Sequence, residues 1–137
     1  MSSFSISTSG MQASFARLDA IMSNVANVMT TGPVPATPPS QPVAGGAPSV
    51  YQAVDVVQTE TASGGVQASE RPRLPAYELN YAPSSPDANA DGYVAAPNVD
   101  LATEAVGLAE TRLALRANVA VFKVEDQMLK SLLDIRV

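Results

Sequence analysis

The sequence has 137 residues, a net charge of −5 and neither cysteine nor histidine. The length suits one domain with a modest core, and an acidic balance without a basic run argues against binding nucleic acid or an anionic membrane surface. The missing residue types exclude disulfides, most zinc sites, thiol nucleophiles and the usual acid–base residue at neutral pH, so we predict a non-enzyme whose partners are proteins.

The N-terminal segment predicts a helix from about residue 4 to residue 29. Among residues 1–31 only Arg17 and Asp19 are charged, and Arg17 is the first cationic side chain, so nothing resembles a basic region followed by an apolar one and we expect no cleaved signal peptide. Apolar residues recur at steps of four and three, the a/d rhythm of a coiled-coil seam. This series is Met11, Phe15, Leu18, Met22, Val25 and Met29.

The middle of the chain predicts loops and short strands. Six of the 17 residues from 32 to 48 are proline and three are glycine, which excludes helix there. Alternating apolar residues between 49 and 81, with a turn at Ser63-Gly64-Gly65, favour a few short strands. The chain has no apolar run of about 18 residues, so we predict no direct membrane insertion.

The C-terminal segment predicts one long helix from Asn98 or Asp100 to about Ile135. Apolar residues recur at steps of seven, with companion positions interrupted by Arg112 and Asp126. A helix of this length extends about 54 Å, whereas a compact domain of this size is roughly 35–40 Å across. The helix must therefore project. A second apolar stripe faces another way: Val106, Leu113, Ala117, Ala120, Val124 and Met128.

Together these elements predict a mainly α fold. Its N- and C-terminal helices form a coiled-coil-like pair, and a Pro-rich loop and a small irregular β region lie between them. The predicted division is 1–31 for the N-terminal heptad helix, 32–97 for the middle region and 98–137 for the C-terminal helix. Because the N-terminal helix is uncharged around most of its circumference, we expect more than one neighbour to cover it. The alternative is a two-helix hairpin that exposes a polar but uncharged surface.

The segment DANADGYVAAPN, residues 87–98, begins like an EF-hand calcium loop, with oxygen side chains at Asp87, Asn89 and Asp91 and a glycine at Gly92. Position twelve is Asn98 rather than glutamate, and the preceding APSSP cannot form the incoming helix. We therefore interpret the segment as a turn-rich lead into the C-terminal helix, which Asn98 or Asp100 can cap. No metal or cofactor is predicted.

Three segments carry a resemblance to a known family. Asn24-Val25-Ala26-Asn27, followed by Thr30 and Gly32, resembles the N-x-A-N-x-x-T-x-G signature of bacterial flagellar axial proteins, the rod, hook and hook-associated group. Residues 86–104 and 116–135 resemble segments of a proximal rod subunit in that family. The sequence departs from the family at Pro33, where an aromatic residue is usual, and at Met29, where Asn or Asp is common. The Pro-rich insert, residues 34–48, has no equivalent that aligns.

The resemblance implies a structural subunit of the flagellar proximal rod that polymerises through its terminal helices around the export channel. It implies export through the flagellar type III apparatus without a cleaved signal peptide, and a place in the basal body where the rod spans the periplasm. The implied partners are the other rod subunits FlgB, FlgF and FlgG, the hook-basal body adaptor FliE and copies of the chain itself. Two alternatives stay open: a soluble coiled-coil adaptor or export chaperone, and a carboxylate-based or calcium-dependent hydrolase.

Two groups of residues are predicted to matter. Asn24 and Asn27 have two interpretations: they cap the end of the helix, or they contact neighbouring subunits. On the second interpretation they belong to the group of subunit contacts. The predicted subunit contacts are Met11, Phe15, Leu18, Met22, Val25, Asn24, Asn27, Leu101, Leu108, Leu115, Val119, Phe122, Leu129 and Leu133. The family-signature residues are Gly32, Asp87, Asn89, Asp91, Gly92, Tyr93, Pro97 and Asn98.

Overall fold

The computed structural model describes residues 3–43, 50–62 and 64–134. Two helices flank four strands in the order α1, β1, β2, β3, β4, α2. Helix α1 spans Ser3–Asn27 and helix α2 spans Leu101–Asp134. The strands are β1 Val54–Glu60, β2 Val66–Pro72, β3 Glu78–Tyr81 and β4 Tyr93–Ala96.

Local hydrogen bonds explain where the helices begin and end. Helix α1 ends two residues before the predicted residue 29, because the amide and the hydroxyl of Thr30 both donate to the Asn27 carbonyl oxygen, at 3.0 and 2.7 Å. Helix α2 begins after Asp100, whose carboxylate accepts from the amides of Ala102 and Thr103 at 3.2 and 3.1 Å. Asp100 is therefore the N-cap. The predicted end at Ile135 lies outside the described residues.

The prediction of a mainly α fold with an irregular β region is wrong. Strands β1 and β2 pair antiparallel over seven residues, from Val54 opposite Pro72 to Glu60 opposite Val66. Strands β3 and β4 form a second antiparallel sheet, which Gly32 extends by exchanging two backbone hydrogen bonds with Ala95. This last pairing joins residues far apart in the chain, so local periodicity could not indicate it. The chain is an α and β structure, with both helices outside two regular sheets.

Helix α1 is the centre of the helical part of the fold. One side packs against α2, and another carries the β1–β2 hairpin, where Ser9 Oγ accepts from the Val66 amide at 3.2 Å. Small residues on α1, including Ala13 and Ala20, are buried there, which lets the strands approach the helix closely. The hairpin turn is closed by hydrogen bonds between Thr61 and the glycines of the turn, while Ser63, predicted in this turn, lies outside the described residues.

The described part of the Pro-rich insert covers a second, small core. This core consists of Val50, Ala76, Tyr77 and Ala95, with Val34 and Val43 packed against it. The Tyr77 hydroxyl donates to the Thr37 carbonyl oxygen at 2.9 Å, and the Ala76 amide donates to the Pro39 carbonyl oxygen at 2.7 Å. Residues 33–43 therefore fold back over the β3–β4 end of the chain; the predicted loop residues 44–48 lie outside the described residues.

Candidate functional site

The two helices lie antiparallel in a defined register. Phe4 meets Phe122 edge to face, with ring centroids 4.9 Å apart, and near the other end Asn24 meets Glu104 at 3.1 Å. Between these contacts, Arg17 forms an ion pair with Glu110 at 3.1 Å. In this antiparallel register, the number of an α1 residue and the number of the α2 residue that faces it add up to about 127. The predicted pairing of the N- and C-terminal helices is therefore present, as an antiparallel pair.

The face of α1 that packs on α2 is not the apolar series. The contacting and buried positions recur at steps of three and four, but most are small or polar. Gly10 approaches so closely that an added Cβ would lie 2.8 Å from the Asn118 amide group, and one at Gly107 would lie 3.4 Å from Ile21 Cδ1. The approach at Gly10 is close enough to require glycine, whereas a Cβ at Gly107 would make an ordinary van der Waals contact. The contacting and buried positions on α1 are Ser7, Gly10, Ser14, Arg17, Ile21 and Asn24.

The predicted contact residues of α1 lie largely outside the intramolecular contact. Phe15 is 54% exposed, Met22 57% and Val25 43%, while Met11 and Leu18 are half-buried. They form the outer stripe of α1, which we define as Met11, Phe15, Leu18, Met22, Val25 and Met29. An exposed apolar stripe of this length is typical of a surface that another molecule covers.

The predicted contact residues of α2 divide between the seam and the solvent. Leu108, Leu115 and Val119 are half-buried against α1, and Phe122 contacts Phe4. The remaining predicted contacts are exposed: Leu101, Leu129 and Leu133. The second stripe, on the opposite side of α2 from α1, is also exposed, with Val106, Leu113, Val124 and Met128 all more than half accessible.

Asn24 is the centre of a buried polar junction. Its side chain is 1% exposed, and all its hydrogen-bonding positions are used. Nδ2 donates to the Val54 carbonyl oxygen at 3.0 Å and to Glu104 Oε1 at 3.1 Å. Oδ1 accepts from the Val54 amide at 3.1 Å and from the Tyr51 hydroxyl at 2.9 Å. One amide therefore joins α1, strand β1 and α2, a role that neither a carboxylate nor a hydroxyl can fill.

Arg73, just after β2, completes this junction. Its Nη2 lies 2.7 Å from Asp55 Oδ1 and 2.8 Å from Glu104 Oε1, and its Nη1 donates to the Asn98 carbonyl oxygen at 3.3 Å. Glu104 is only 3% exposed, so a buried carboxylate is compensated by a guanidinium and an amide. The polar junction, defined as Asn24, Tyr51, Asp55, Arg73 and Glu104, holds the hairpin against both helices.

The protonation states in the junction follow from its surroundings. Burial by itself would lower the pKa of Arg73, but the hydrogen bonds to Asp55 and Glu104 raise the pKa above its ordinary value. Burial raises the pKa of the Tyr51 phenol, and the negative charges of Glu70 and Glu104 add to the rise. At neutral pH the guanidinium is therefore charged and the phenol keeps the proton that it donates to Asn24.

Asn27, the other asparagine of the signature, has a local role. Its Nδ2 donates to the Ser23 carbonyl oxygen at 2.8 Å within the same helix, and its own carbonyl oxygen receives both Thr30 bonds. Asn27 is half-buried. The two asparagines thus differ: Asn24 connects three elements of the chain, whereas Asn27 belongs to the end of α1.

The signature loop is an Asx-closed turn between β3 and β4. Asn89 Oδ1 accepts from the amides of Asp91 and Tyr93, at 3.0 and 2.9 Å, and the Asp87 amide donates to Ser85 Oγ at 3.3 Å. Gly92 has φ of 82°, in the left-handed region. Its neighbour Tyr93 packs edge to face on Tyr81. The residues of the calcium-like pattern thus build a turn.

The end of this segment leads directly into α2. Pro97 is buried, and Asn98 Nδ2 donates to the Pro75 carbonyl oxygen at 3.0 Å while its own carbonyl accepts from Arg73. Gly32, the last signature residue, is buried in its bridge to Ala95. These three signature residues therefore lie where the helices, residues 33–43 and the β3–β4 sheet connect.

Within 3–43, 50–62 and 64–134, no three Asp or Glu side chains converge in a group that could hold a metal ion. Across the same ranges, neither helix combines the length and apolar character required to span a bilayer.

Sequence reasoning missed several of the residues that make the intramolecular contacts. Arg73 and Glu104 were not singled out, because a single charged residue in a strand or a helix carries no local pattern. The small and polar series of α1 did carry a signal, since Ser7, Gly10 and Ser14 already show the spacing of a contact face. The larger apolar residues of the same helix have the same spacing, and the prediction followed them instead.

Known proteins resemble this chain along almost its whole length. Residues 90–135 match the family model described as flagellar basal body rod FlgEFG protein, C-terminal. The chain is 32% identical to flagellar basal-body rod protein FlgC of Bacillus subtilis, across 97% of this chain and 95% of that protein. It is 36% identical to FlgC of Salmonella typhimurium and 35% identical to FlgC of Escherichia coli O157:H7, each across 94% of this chain and 92% of the relative.

Proposed function

Because the chain belongs to the FlgC family of flagellar basal-body rod proteins, and is thus a structural subunit of the rod, we propose that it polymerises through the exposed faces of α1 and α2. The resemblance seen in the sequence is confirmed by these relatives. As a rod subunit, the chain is located in the basal body and assembles with other rod components. Its family is one of structural proteins.

The observation that supports polymerisation is the amount of apolar surface left on the two helices. On α1 and just beyond its end this surface is Phe15, Met22, Val25 and Met29, and on α2 it is Val106, Leu113 and Val124. Burying a fully exposed side chain of this kind contributes roughly 1.5–3 kcal/mol. About half or more of each of these side chains is exposed. Their burial by neighbouring subunits therefore contributes on the order of 10 kcal/mol of favourable free energy, before the entropic cost of association is subtracted.

In this proposal residues 1–31 and 98–137 form the axial core, and residues 32–97 lie outside it. The contact residues are the outer stripe of α1, the exposed residues of α2 and Asn27 at the end of α1. Asn24 contributes through the polar junction, which sets how the hairpin is placed beside the axial helices. The half-buried residues Leu108, Leu115 and Val119 pack within the helix pair, and their exposed parts contribute to the edge of the subunit contact.

The proposed partners are the rod subunits FlgB, FlgF and FlgG, the adaptor FliE and further copies of the chain. Assembly takes place in the proximal rod, which spans the periplasm, after export through the flagellar type III apparatus. Exposed apolar helices that are covered only on assembly suit such a route, because the free chain gives up little stability when it is threaded unfolded.

Replacement of Leu113 by aspartate tests the proposal. Leu113 is 70% exposed and lies on the side of α2 away from α1, so the isolated chain should keep its helicity. In the rod, the change places an uncompensated carboxylate in a subunit contact, at a cost of several kcal/mol. We expect cells complemented with Leu113→Asp to export the protein but to lack rods and motility.

The matched control is Gln58→Asp, an exposed position on β1 of the hairpin, which should support normal motility. Basal-body microscopy distinguishes the assembly defect from poor expression. Normal rods with Leu113→Asp would show that this face of α2 is not a subunit contact. An export chaperone, the alternative role, would be absent from purified basal bodies, whereas a subunit is retained.

A further inference from the structure

Strand β1 has an outward edge, and its pairing with β2 shows which backbone groups point there. The Arg73 amide donates to the Ala53 carbonyl oxygen at 2.7 Å, and the Thr61 amide donates to the Gly65 carbonyl oxygen at 3.1 Å. In an antiparallel pair, residues that bond to the partner strand alternate with residues whose amide and carbonyl groups point away from it. The odd-numbered residues of β1 therefore bond to β2. The even-numbered ones face outward: Val54, Val56, Gln58 and Glu60.

The side-chain amide of Asn24 occupies the first position of this outward edge. Its Oδ1 accepts from the Val54 amide at 3.1 Å, and its Nδ2 donates to the Val54 carbonyl oxygen at 3.0 Å. These are the two bonds that a residue of a third strand would exchange with Val54. Within the described residues, the backbone amide and carbonyl groups of Val56 and Gln58 have no hydrogen-bond partner. Asn24 thus starts a third strand that the described part of the chain does not continue.

The outward edge of β2 is less suited to pairing. At one end the Val66 amide donates to Ser9 Oγ at 3.2 Å, and at the other end Pro72 has no N–H to donate. Residues 70 and 71 between them are charged. Charged residues and proline are the means by which proteins keep an edge strand from pairing. Residues 56–59 of β1 are uncharged, so β1 has the edge that can accept another strand.

A cavity of about 370 Å³ lies beside this edge, between β1 and α2. Val54 and Val56 line it from the strand, and Thr103 and Gly107 line it from the helix. A second copy of the hairpin would be displaced by two strand spacings, about 10 Å, and would bring its own α1 with it. Because packed helices also lie about 8–10 Å apart, that helix would overlap α2. The space therefore suits a single extended segment.

The charges around the cavity limit what this segment can carry. Arg17 is paired with Glu110 at 3.1 Å. Arg73 is paired with Asp55 and Glu104 at 2.7 and 2.8 Å. A further charged side chain in this space would lose its hydration without gaining a free partner. The segment is therefore uncharged where it crosses the cavity.

We propose that the outward edge of β1 receives an extended, uncharged segment of a neighbouring rod subunit, which adds as a third strand and continues from the Asn24 amide along Val56 and Gln58. In strand addition of this kind, backbone hydrogen bonds supply the affinity and the adjoining pocket selects the side chains. The inference rests on the proposed function and deepens it, because it assigns a subunit contact to the hairpin in addition to the helix faces.

Proline at position 58 tests the added strand. The Gln58 amide points away from β2, so Gln58→Pro removes no hydrogen bond of the hairpin, and Pro72 already stands at an equivalent position of β2. In the rod, the change removes a donor and sets the proline ring against the added strand. We expect cells complemented with Gln58→Pro to export the protein but to lose rods and motility. Gln58→Asp keeps the amide and should assemble normally.

The matched control is Ala68→Pro, which removes an outward amide of β2. Ala68 lies opposite Gln58 in the register, so the two proline variants restrict the hairpin alike, and their isolated chains should have similar denaturant midpoints. Ala68→Pro should nevertheless support normal motility. Normal rods with Gln58→Pro, or an equal loss of rods with both variants, would overturn the proposal.

Hydrogen exchange of the unaltered chain gives a readout that needs no variant. In the isolated chain the amides of Val56 and Gln58 should exchange on the order of 100-fold faster than the Val57 amide, which bonds to β2. In purified rods they should become protected. A photo-cross-linking amino acid at position 58 should attach, in the same rods, to an uncharged segment outside the terminal helices of a neighbouring subunit. Attachment to a terminal helix, or unchanged exchange in rods, would count against the added strand.

The possible results separate this inference from the proposed function. If rods contain the chain, but Gln58→Pro assembles normally and the Val56 amide exchanges as fast as in the isolated chain, the strand contact is wrong and the rod role stands. Absence of the unaltered chain from purified rods would instead overturn the proposed function.

Discussion

Asn24 and Glu104 are 80 residues apart in the chain, yet Asn24 Nδ2 donates to Glu104 Oε1 across 3.1 Å and both side chains are buried. This hydrogen bond fixes the register of the two terminal helices at the end where the β1–β2 hairpin joins them. The signature asparagine is thus a connection within the subunit.

Replacing Asn24 by aspartate should destabilise the chain strongly. The change removes both donated hydrogen bonds and sets a second carboxylate about 3 Å from Glu104, and an unsatisfied or repelled buried group costs roughly 2–5 kcal/mol. Chemical denaturation followed by circular dichroism measures the loss. Asn27→Asp is the control, since Asn27 Nδ2 bonds only within its own helix and its replacement should cost about 1 kcal/mol or less. Equal effects of the two changes would refute the junction's role.

Amide hydrogen exchange in the isolated subunit should divide α2 into two parts. Amides near Thr111, which is buried, should exchange on the order of 100-fold more slowly than those of residues 127–134, because fraying ends open at little free-energy cost. In assembled rods residues 127–134 should become protected. Uniform protection of α2 in the dilute monomer would contradict this expectation.

Gly92→Ala should destabilise the β3–β4 end of the chain. At φ of 82° a Cβ costs about 1–2 kcal/mol, and here it would also lie 2.9 Å from Tyr81 Cε2 and 3.1 Å from Pro83 Cβ. The control is Gly107→Ala, where the nearest atom is an ordinary 3.4 Å away and helix propensity improves by up to about 1 kcal/mol. The denaturant midpoint should fall for the first variant and stay level or rise for the second.

The Asp100 cap should make stability depend on acidic pH. Hydrogen bonds from Thr103, first through its hydroxyl and then through its amide, lower the pKa of Asp100 in the folded chain. A lowered folded pKa means that the stabilisation is complete above the unfolded pKa of about 3.9 and is lost as pH falls through the folded value. The difference in thermal midpoint between the chain and Asp100→Asn should therefore be constant from pH 7 to about pH 5 and change only below. A difference that varies near neutral pH would argue against this cap.

Local patterns predicted the elements whose causes are local. The end of α1 and the start of α2 differ from the predicted positions by only a few residues, because helical periodicity and the capping groups of Asp100 and Thr30 lie within a few residues of these ends. The turn-rich interpretation of the segment around Asn89 was equally accessible, since an Asx side chain bonds to amides two and four residues ahead.

Patterns alone did not show which face of α1 packs on α2. Apolar periodicity predicted that Phe15 and Met22 belong to a seam, whereas the seam of the folded chain uses Gly10, Ser14 and Ile21. The apolar series and the small-residue series have the same spacing. Which of them packs on α2 depends on how closely the second helix approaches. Close packing of two backbones favours small residues, and larger apolar residues are left for outer neighbours.

The sequence by itself determined two long helices at the chain ends, an N-terminal helix with only two charged residues and membership of the flagellar axial family, because each depends on residues close together in the chain. Only the tertiary structure decided the sheet register, the path of residues 33–43 and the junction of Asn24 with Arg73 and Glu104. The bonds that Glu104 makes with Asn24 and Arg73 join positions 80 and 31 residues apart, and what stabilises them is the mutual satisfaction of buried polar groups that no single segment can show.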